Sequence, residues 1–332
     1  MKRNFLPIIL LIGGSSDSLE KGSLSNCSLI SINKQLKIIN SSSFSLNYPR
    51  RSPSVFNFKC KHLFVIGGCS EPGNHLTNGE LFKYNHYESF NNKINLELIN
   101  YNNIEGFSCS AFCQVEGIGG FIFGGYNGTE CLKQILKIDE KEPHNLNILS
   151  PLPFGLKNSA ALPSLDKKRI WIIGGWNGHK TEKIIMEYNI ENQTTKFCHF
   201  IPYPLEGHCV ASPSIVNSNG IGFIIGGFDG INLRSKILII NLNNGKILGE
   251  AGEKLLKGKE NCGAFCFCPD GEKEYLAIIG GWDGYNVLND FELFEVLQEP
   301  PWLKRELVNK FNYLNIARNR PAVICINFEE ND

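Results

Sequence analysis

The sequence predicts an all-β, six-bladed propeller with four antiparallel strands per blade, its first blade closed by the C-terminal strand. Three observations predict it. An apolar run ending in Gly-Gly occurs six times: ILLIGG at 9–14, LFVIGG at 63–68, GFIFGG at 120–125, IWIIGG at 170–175, GFIIGG at 222–227 and LAIIGG at 276–281. The second glycines lie 54, 57, 50, 52 and 54 residues apart, and a period this constant marks one structural unit repeated. No segment longer than a turn or two carries a helical apolar period.

Each unit shows its features in one order. A small-residue stretch comes first: CSAFCQV at 109–115, NSAALPS at 158–164, HCVASPSIV at 208–216 and NCGAFCFC at 261–268. The apolar Gly-Gly run follows. A tight turn comes next, GGYNG, GGWNG, GGFDG and GGWDG from 124, 174, 226 and 280, with Asn-Gly or Asp-Gly supplying positive φ. A third alternating run follows, KIIMEYNI at 183–190, KILIINL at 236–242 and DFELFEV at 290–296, and a fourth, variable strand closes the unit, as TTKFCHF does at 194–200. A lone four-stranded sheet cannot bury both faces. Packed between two neighbours in a ring it can, which favours radial blades around a channel.

A ring has to close. The chain opens MKRNFLPIILLIGGSS, the outline of a secretory leader, but its apolar run is in register with the other five, so it reads as a strand. Too few residues precede it for a small-residue first strand. ARNRPAVICINF at 317–328 resembles those first strands and lacks a following Gly-Gly, so it is expected to pair beside residues 7–14. The expected blades are 5–48 plus 318–328, 50–104, 107–152, 157–203, 206–256 and 260–310, together one domain over 1–332.

Lysine plus arginine and aspartate plus glutamate each number 33, which argues against a general nucleic-acid or membrane-surface binder. No apolar run reaches membrane-spanning length. The 12 cysteines are irregularly spaced and form no CxxC pair, so a usual structural zinc site is not expected; they read as small buried hydrophobes. Cys109, Cys209 and Cys262 read as equivalent inner-strand positions, which makes a metal ring conceivable but not expected. Asn26, Asn40, Asn127 and Asn192 begin Asn-x-Ser/Thr triplets, which matter only in a secreted chain.

The Gly-Gly after an apolar run, the aromatic-Asx-Gly turn and the period near 50 resemble the kelch repeat over about residues 5–328. The fourth unit, RIWIIGGWNGHKTEKIIMEYNIENQTTKF, matches best: it adds the Glu187-Tyr188 pair and an aromatic, Phe197, where the family places tryptophan. Elsewhere that tryptophan is mostly missing, Trp302 being one survivor, and the first two units carry GGSSDS and GGCSEP in place of the turn. The resemblance implies a ligand face built from the loops after Gly-Gly and those leading into the inner strand. The first set maps to Tyr126, Trp176, Phe228 and Trp282, and the second to Arg51, Cys109, Ser159, Cys209, Cys262 and Arg320, beside His208 and Asn261. Aromatics and arginines around a concave mouth suit protein recognition, though the aromatics can equally cap blade ends. Arg320 stands out against small residues, with tying down the closing strand as its structural alternative. Of His62, His75, His86, His144, His179, His199 and His208, only His179 and His208 are expected near this face. No nucleophile elbow, phosphate loop or HExxH motif occurs.

The expected function is a cytoplasmic, monomeric protein-interaction module, an adaptor or scaffold. Its expected contacts are Arg51, Tyr126, Trp176, His179, His208, Phe228, Trp282 and Arg320. Its partner is expected to be a protein, of which a ubiquitin-ligase or cytoskeletal component is implied by the resemblance. No catalytic residue, metal or cofactor is assigned. The alternative is a kelch-type enzyme or a sugar-binding propeller.

Overall fold

A computed structural model describes residues 5–16, 22–36, 38–58, 61–84, 96–213, 219–306 and 315–329. The initial residues 1–4, His86 and residues 307–310 of the expected last blade lie outside them. Six four-stranded antiparallel sheets form the molecule. The first contains β1 (Phe5–Ile12), β2 (Asn26–Ile32) and β3 (Ile38–Ser45). The second contains β4 (Ser54–Phe58), β5 (His62–Ile66), β8 (Gly79–Lys83) and β9 (Glu97–Ile99), with a small hairpin of β6 (Cys69–Glu71) and β7 (Asn74–His75) inserted after its Gly-Gly. The third is β10 (Ala111–Val115), β11 (Gly119–Phe123), β12 (Ile135–Ile138) and β13 (Leu146–Leu149). The fourth is β14 (Ala160–Pro163), β15 (Arg169–Ile173), β16 (Ile184–Asn189) and β17 (Thr194–Phe200). The fifth is β18 (Cys209–Ala211), β19 (Ile221–Ile225), β20 (Lys236–Asn241) and β21 (Ile247–Lys254). The sixth is β22 (Gly263–Phe267), β23 (Tyr275–Ile279), β24 (Phe291–Val296) and β25 (Leu303–Arg305).

The last strand, β26 (Ala322–Glu329), pairs antiparallel with β1 from Phe5↔Glu329 to Ile12↔Ala322 and becomes the innermost strand of the first blade. Residues 5–12, whose composition also suits a leader, are therefore paired along their whole length by β26 and, over Ile8–Ile12, on the other edge by β2. The innermost strands touch in a closed circle: β26 to β4, β4 to β10, β10 to β14, β14 to β18, β18 to β22 and β22 back to β26.

The core is six layers, one between each pair of neighbouring blades. Ile8, Leu10 and Ile12 pack with Val55, Val65 and Phe82 of blade 2, whereas the alternate residues Ile9 and Leu11 pack with Phe267, Ala277 and Ile279 of blade 6. Successive side chains of a strand point to opposite faces, and here both faces are interior. That is why each second strand is an unbroken apolar run with no polar alternation. The Tyr188 of the Glu-Tyr pair is fully buried and packs edge-on to Phe123 of blade 3, with ring centroids 5.4 Å apart.

The double glycine has a tertiary cause. The second glycine of each pair donates its N–H to the next blade: Gly14 to Arg50 O, Gly68 to Phe107 O, Gly125 to Leu156 O, Gly175 to Leu205 O, Gly227 to Lys259 O and Gly281 to Arg318 O. The first glycine lies against that same crossing chain, and a Cβ at Gly13, Gly124, Gly174, Gly226 or Gly280 would collide with the accepting carbonyl. The residue that supplies this carbonyl is buried. It is apolar in three blades (Phe107, Leu156, Leu205) and cationic in the other three (Arg50, Lys259, Arg318). Arg50 pairs with Glu80 at 2.9 Å, both fully buried. Lys259 pairs with Asp290 and Glu292, each at 2.9 Å. Arg318 donates to Gly13 O, Asn26 O, Asn26 Oδ1 and Ser28 Oγ, fastening the tail of the chain to its head.

Candidate functional site: the loop-face mouth of the channel

The residue after Gly-Gly forms an isolated antiparallel bridge to the chain just ahead of the inner strand, once per blade: Ser15↔Asn319, Arg51↔Cys69, Ser108↔Tyr126, Lys157↔Trp176, Glu206↔Phe228 and Glu260↔Trp282. This aligns the six mouth segments. The next residues inward are Arg320, Ser52, Cys109, Asn158, Gly207 and Asn261, and all six adopt left-handed backbone, with φ from 50° to 60°. Each donates its N–H to the equivalent carbonyl of the preceding blade: Ser52 to Arg320 at 3.1 Å, Cys109 to Ser52 at 3.4 Å, Asn158 to Cys109 at 2.8 Å, Gly207 to Asn158 at 2.9 Å, Asn261 to Gly207 at 2.6 Å and Arg320 to Asn261 at 2.9 Å. Six hydrogen bonds running one way round make a closed ring of main chain at the mouth. Left-handed φ costs a residue with a Cβ about 1–2 kcal/mol, and the ring bonds offset that cost.

This register corrects the expectation that Cys109, Cys209 and Cys262 are equivalent. Cys109 is in the ring, Cys262 follows ring residue Asn261, and Cys209 lies two residues past Gly207. Similar small-residue stretches concealed offsets of one and two positions. Among the described residues no group of three or more His, Cys, Asp or Glu could hold a metal ion.

Below the ring is a cavity of about 440 Å³ lined by the inner strands of five blades and, from blade 2, by Ser52 and Pro53 just ahead of β4. Its walls hold Cys109, Cys113, Cys209, Cys262, Cys266 and Cys325 with alanines, valine, leucine and phenylalanines. Arg320 crosses its opening. Its Nη1 donates to Cys109 Sγ at 3.2 Å on blade 3 and to Asn158 Oδ1 at 3.0 Å on blade 4. Asn158 Nδ2 donates in turn to Glu206 Oε2 at 2.9 Å, and Thr181 Oγ1 donates to Glu206 Oε1 at 3.2 Å. A single polar chain therefore runs from blade 1 across the opening to blade 5. Of the two arginines near the closing strand, Arg318 ties the strand down and Arg320 faces the mouth.

The other expected site residues fall into distinct places. Tyr126, Trp176, Phe228 and Trp282 are half-buried at the bases of their loops and bridge back to Cys131, Thr181, Leu233 and Val287. Lys157 Nζ sits over the Tyr126 ring, 4.2 Å from its centroid, and the Tyr126 hydroxyl donates to Gly128 O. Arg51 is buried, with Nη2 3.5 Å from Cys69 Sγ. His208 is buried too, its ring close to Gly174 of blade 4, and it also borders the cavity. Burial there lowers its pKa to about 4, the Ile173 carbonyl opposing weakly. His179 is exposed at its loop tip.

The sequence pattern missed two features of this face. Blade 2 lacks the Asx-Gly turn, and its hairpin β6–β7 brings His75 back to the position of Cys131 and Thr181. There its ring meets Tyr126 edge-on, 5.6 Å between centroids. Burial, then the charges of Arg51 and Lys157, lower the His75 pKa. The second feature is the tips. Asn127, Asn177, Asp229 and Asp283 each accept two backbone N–H groups through Oδ1. The positive φ falls on the following glycine and not on the Asx residue. Four loops of one shape thus present Thr129, His179, Ile231 and Tyr285 at one equivalent tip. Ile231 is 83% exposed and Tyr285 86%, and Leu256, in the connection between blades 5 and 6, is 77% exposed. The signal that could have found them is chemical variety at a fixed offset from Gly-Gly.

No protein-family model matches the sequence. Comparison with curated proteins also gave no match. Among solved structures the chain is similar to one titled "Structure of YjhT", with a TM-score of 0.62 over 83% of this chain and 87% of that one, at 11% sequence identity. At that identity the likeness concerns the fold, and it agrees with the ring derived above: the chain is a six-bladed β-propeller whose loop face opens on a central cavity.

Proposed function

We propose that this chain is a kelch-type propeller serving as a protein-interaction module, an adaptor or scaffold that holds a short acidic or polar segment of a partner protein on its loop face. The observation that carries this reading is the set of equivalent tips: identical Asx-capped loops hold chemically different, exposed side chains, and two of them, Ile231 and Tyr285, are large and apolar. Rigid loops with varied tips lower the ordering cost of binding, and exposed aromatics and arginine are the usual anchors of interfaces. Arg320 and Lys157 beside the opening favour a partner with carboxylates. A ubiquitin-ligase or cytoskeletal component in the cytoplasm is the partner class in keeping with a kelch-type adaptor.

A second reading, a sugar-sized ligand, rests on the 440 Å³ cavity under Arg320, Asn158 and Asn261, a volume within the range of small-molecule sites. Among the described residues its lining contains no aspartate, glutamate or tyrosine, so acid–base chemistry on such a ligand has no carboxylate there to draw on.

The test compares the intact protein with Ile231→Ser/Tyr285→Ser and Arg320→Ala variants as baits in affinity capture. Loss of the same captured protein by at least ten-fold in the tip variant supports the interaction reading, and undiminished capture by the tip variant removes it. A thermal shift with monosaccharides that survives the tip substitutions and vanishes in Arg320→Ala would favour the second reading.

A further inference from the structure

We propose that Cys209 and Cys262 are an oxidative modification site, a dithiol that hydrogen peroxide converts into a disulfide joining blades 5 and 6 at the channel mouth. The two sulfurs, Cys209 on β18 and Cys262 just ahead of β22, are 3.0 Å apart, about 1 Å longer than a disulfide bond. Both cysteines are free thiols, and both line the cavity. Their offset by one register position brings the sulfurs together. Cys262 points back toward the blade 5 seam from the residue after Asn261, and Cys209 meets it from two residues past Gly207. Ring bond Asn261 N–H to Gly207 O, at 2.6 Å, spans the same seam, so the chain around both cysteines is already held in place. Closing the bond requires side-chain motion and not a rearrangement of blades.

The chemistry balances with a peroxide small enough to enter the cavity. One sulfur, as thiolate, attacks a peroxide oxygen. The O–O bond breaks, hydroxide leaves and takes up a proton as water, and a sulfenic acid forms. The second sulfur attacks the sulfenic sulfur, the S–O bond breaks, and the departing hydroxide takes the second thiol's proton to leave as water. Two thiols and one peroxide thus give one disulfide and two waters, the sulfurs losing two electrons and the peroxide gaining them. Burial and the neighbouring Cys262 push the Cys209 thiol well above its ordinary value, which leaves little thiolate there and makes the first step slow. The link would close one whole blade of chain and fix the seam beneath Ile231, Leu256 and Tyr285.

The experiment treats the full-length protein with hydrogen peroxide, alkylates the remaining thiols and maps peptides by mass spectrometry. The expected result is a cross-linked peptide pair carrying Cys209 and Cys262, lighter by two hydrogens and released by dithiothreitol. The thermal midpoint should rise by roughly 5 °C or more, and the rise should be absent in Cys209→Ser and retained in Cys113→Ser. Recovery of Cys209 and Cys262 as two separately alkylated thiols, or as sulfinic acids, while the half-buried Cys131 is oxidised, would overturn the proposal. So would pairing of either residue with a different cysteine. If Cys209→Ser does not fold, the peptide map of the unsubstituted chain decides alone, and partner capture plays no part in the outcome.

Discussion

Arg320 and Asn158 join diametrically opposite blades: Arg320 Nη1 on blade 1 donates to Asn158 Oδ1 on blade 4 over 3.0 Å. The contact links residues that are far apart in sequence, across an opening whose width is set by how six blades share a circle. Replacing Arg320 by alanine removes this bond and the one to Cys109 and leaves Asn158 Oδ1 without that donor. A loss of about 1–3 kcal/mol is expected by urea unfolding. Arg320→Lys should recover little of it, because Nη1 makes both bonds and the lysine side chain is one bond shorter, so its ammonium falls short of that position.

The double glycine offers an internal control. Gly174→Ala places a Cβ against Leu205 O at positive φ, whereas Gly178 has nothing within 4 Å of the corresponding position. Gly178→Ala should cost about 1–2 kcal/mol from backbone conformation alone. Gly174→Ala adds the clash and the disturbance of an inter-blade hydrogen bond, and should cost about 3 kcal/mol or more. Equal losses in denaturant titration would remove the close-approach explanation.

The buried pair Arg50–Glu80 predicts strong non-additivity. Glu80 also accepts the backbone N–H of Asn47, at 2.6 Å, and of Tyr48. Glu80→Ala strands a buried guanidinium and orphans those N–H groups, for about 3–5 kcal/mol. Arg50→Met/Glu80→Leu should cost less than the sum of the single changes, by a double-mutant cycle in chemical unfolding.

His208 makes stability depend on pH. Its folded pKa, about 4, lies below the ordinary 6.5, so the unfolded chain binds more protons between these values. Stability should therefore rise with pH through the window from about 4 to 6.5 and be lost as pH falls through it, by about 3 kcal/mol in all. In His208→Leu the slope across that window should shrink, and a slope unchanged in thermal unfolding at several pH values would show that another group carries it.

Much of the architecture was legible because it is local and repeated. The fourth strand of blade 4, Thr194–Phe200, falls on TTKFCHF, where the variable closing strand is expected, and β26 pairs with β1 as the missing first strand requires. Blade 2 was least legible, because its hairpin replaces the turn that marks blades 3 to 6 and thereby moves His75 onto the loop face. The mouth was legible only in part. The aromatics after Gly-Gly stood out by type, yet they brace the loop bases, while the exposed tips Ile231 and Tyr285 carry no motif.

Sequence by itself determined the blade number, the two-faced burial of the second strands and the closure by the tail, since each follows from a short pattern that recurs with one period. Tertiary structure alone decided that Arg320 reaches Asn158, that Cys209 meets Cys262 and that His208 is buried close to Gly174 of blade 4. Those relations depend on offsets of one or two residues between neighbouring blades and on the span of the closed circle. A repeat carries no record of either until every blade is in place.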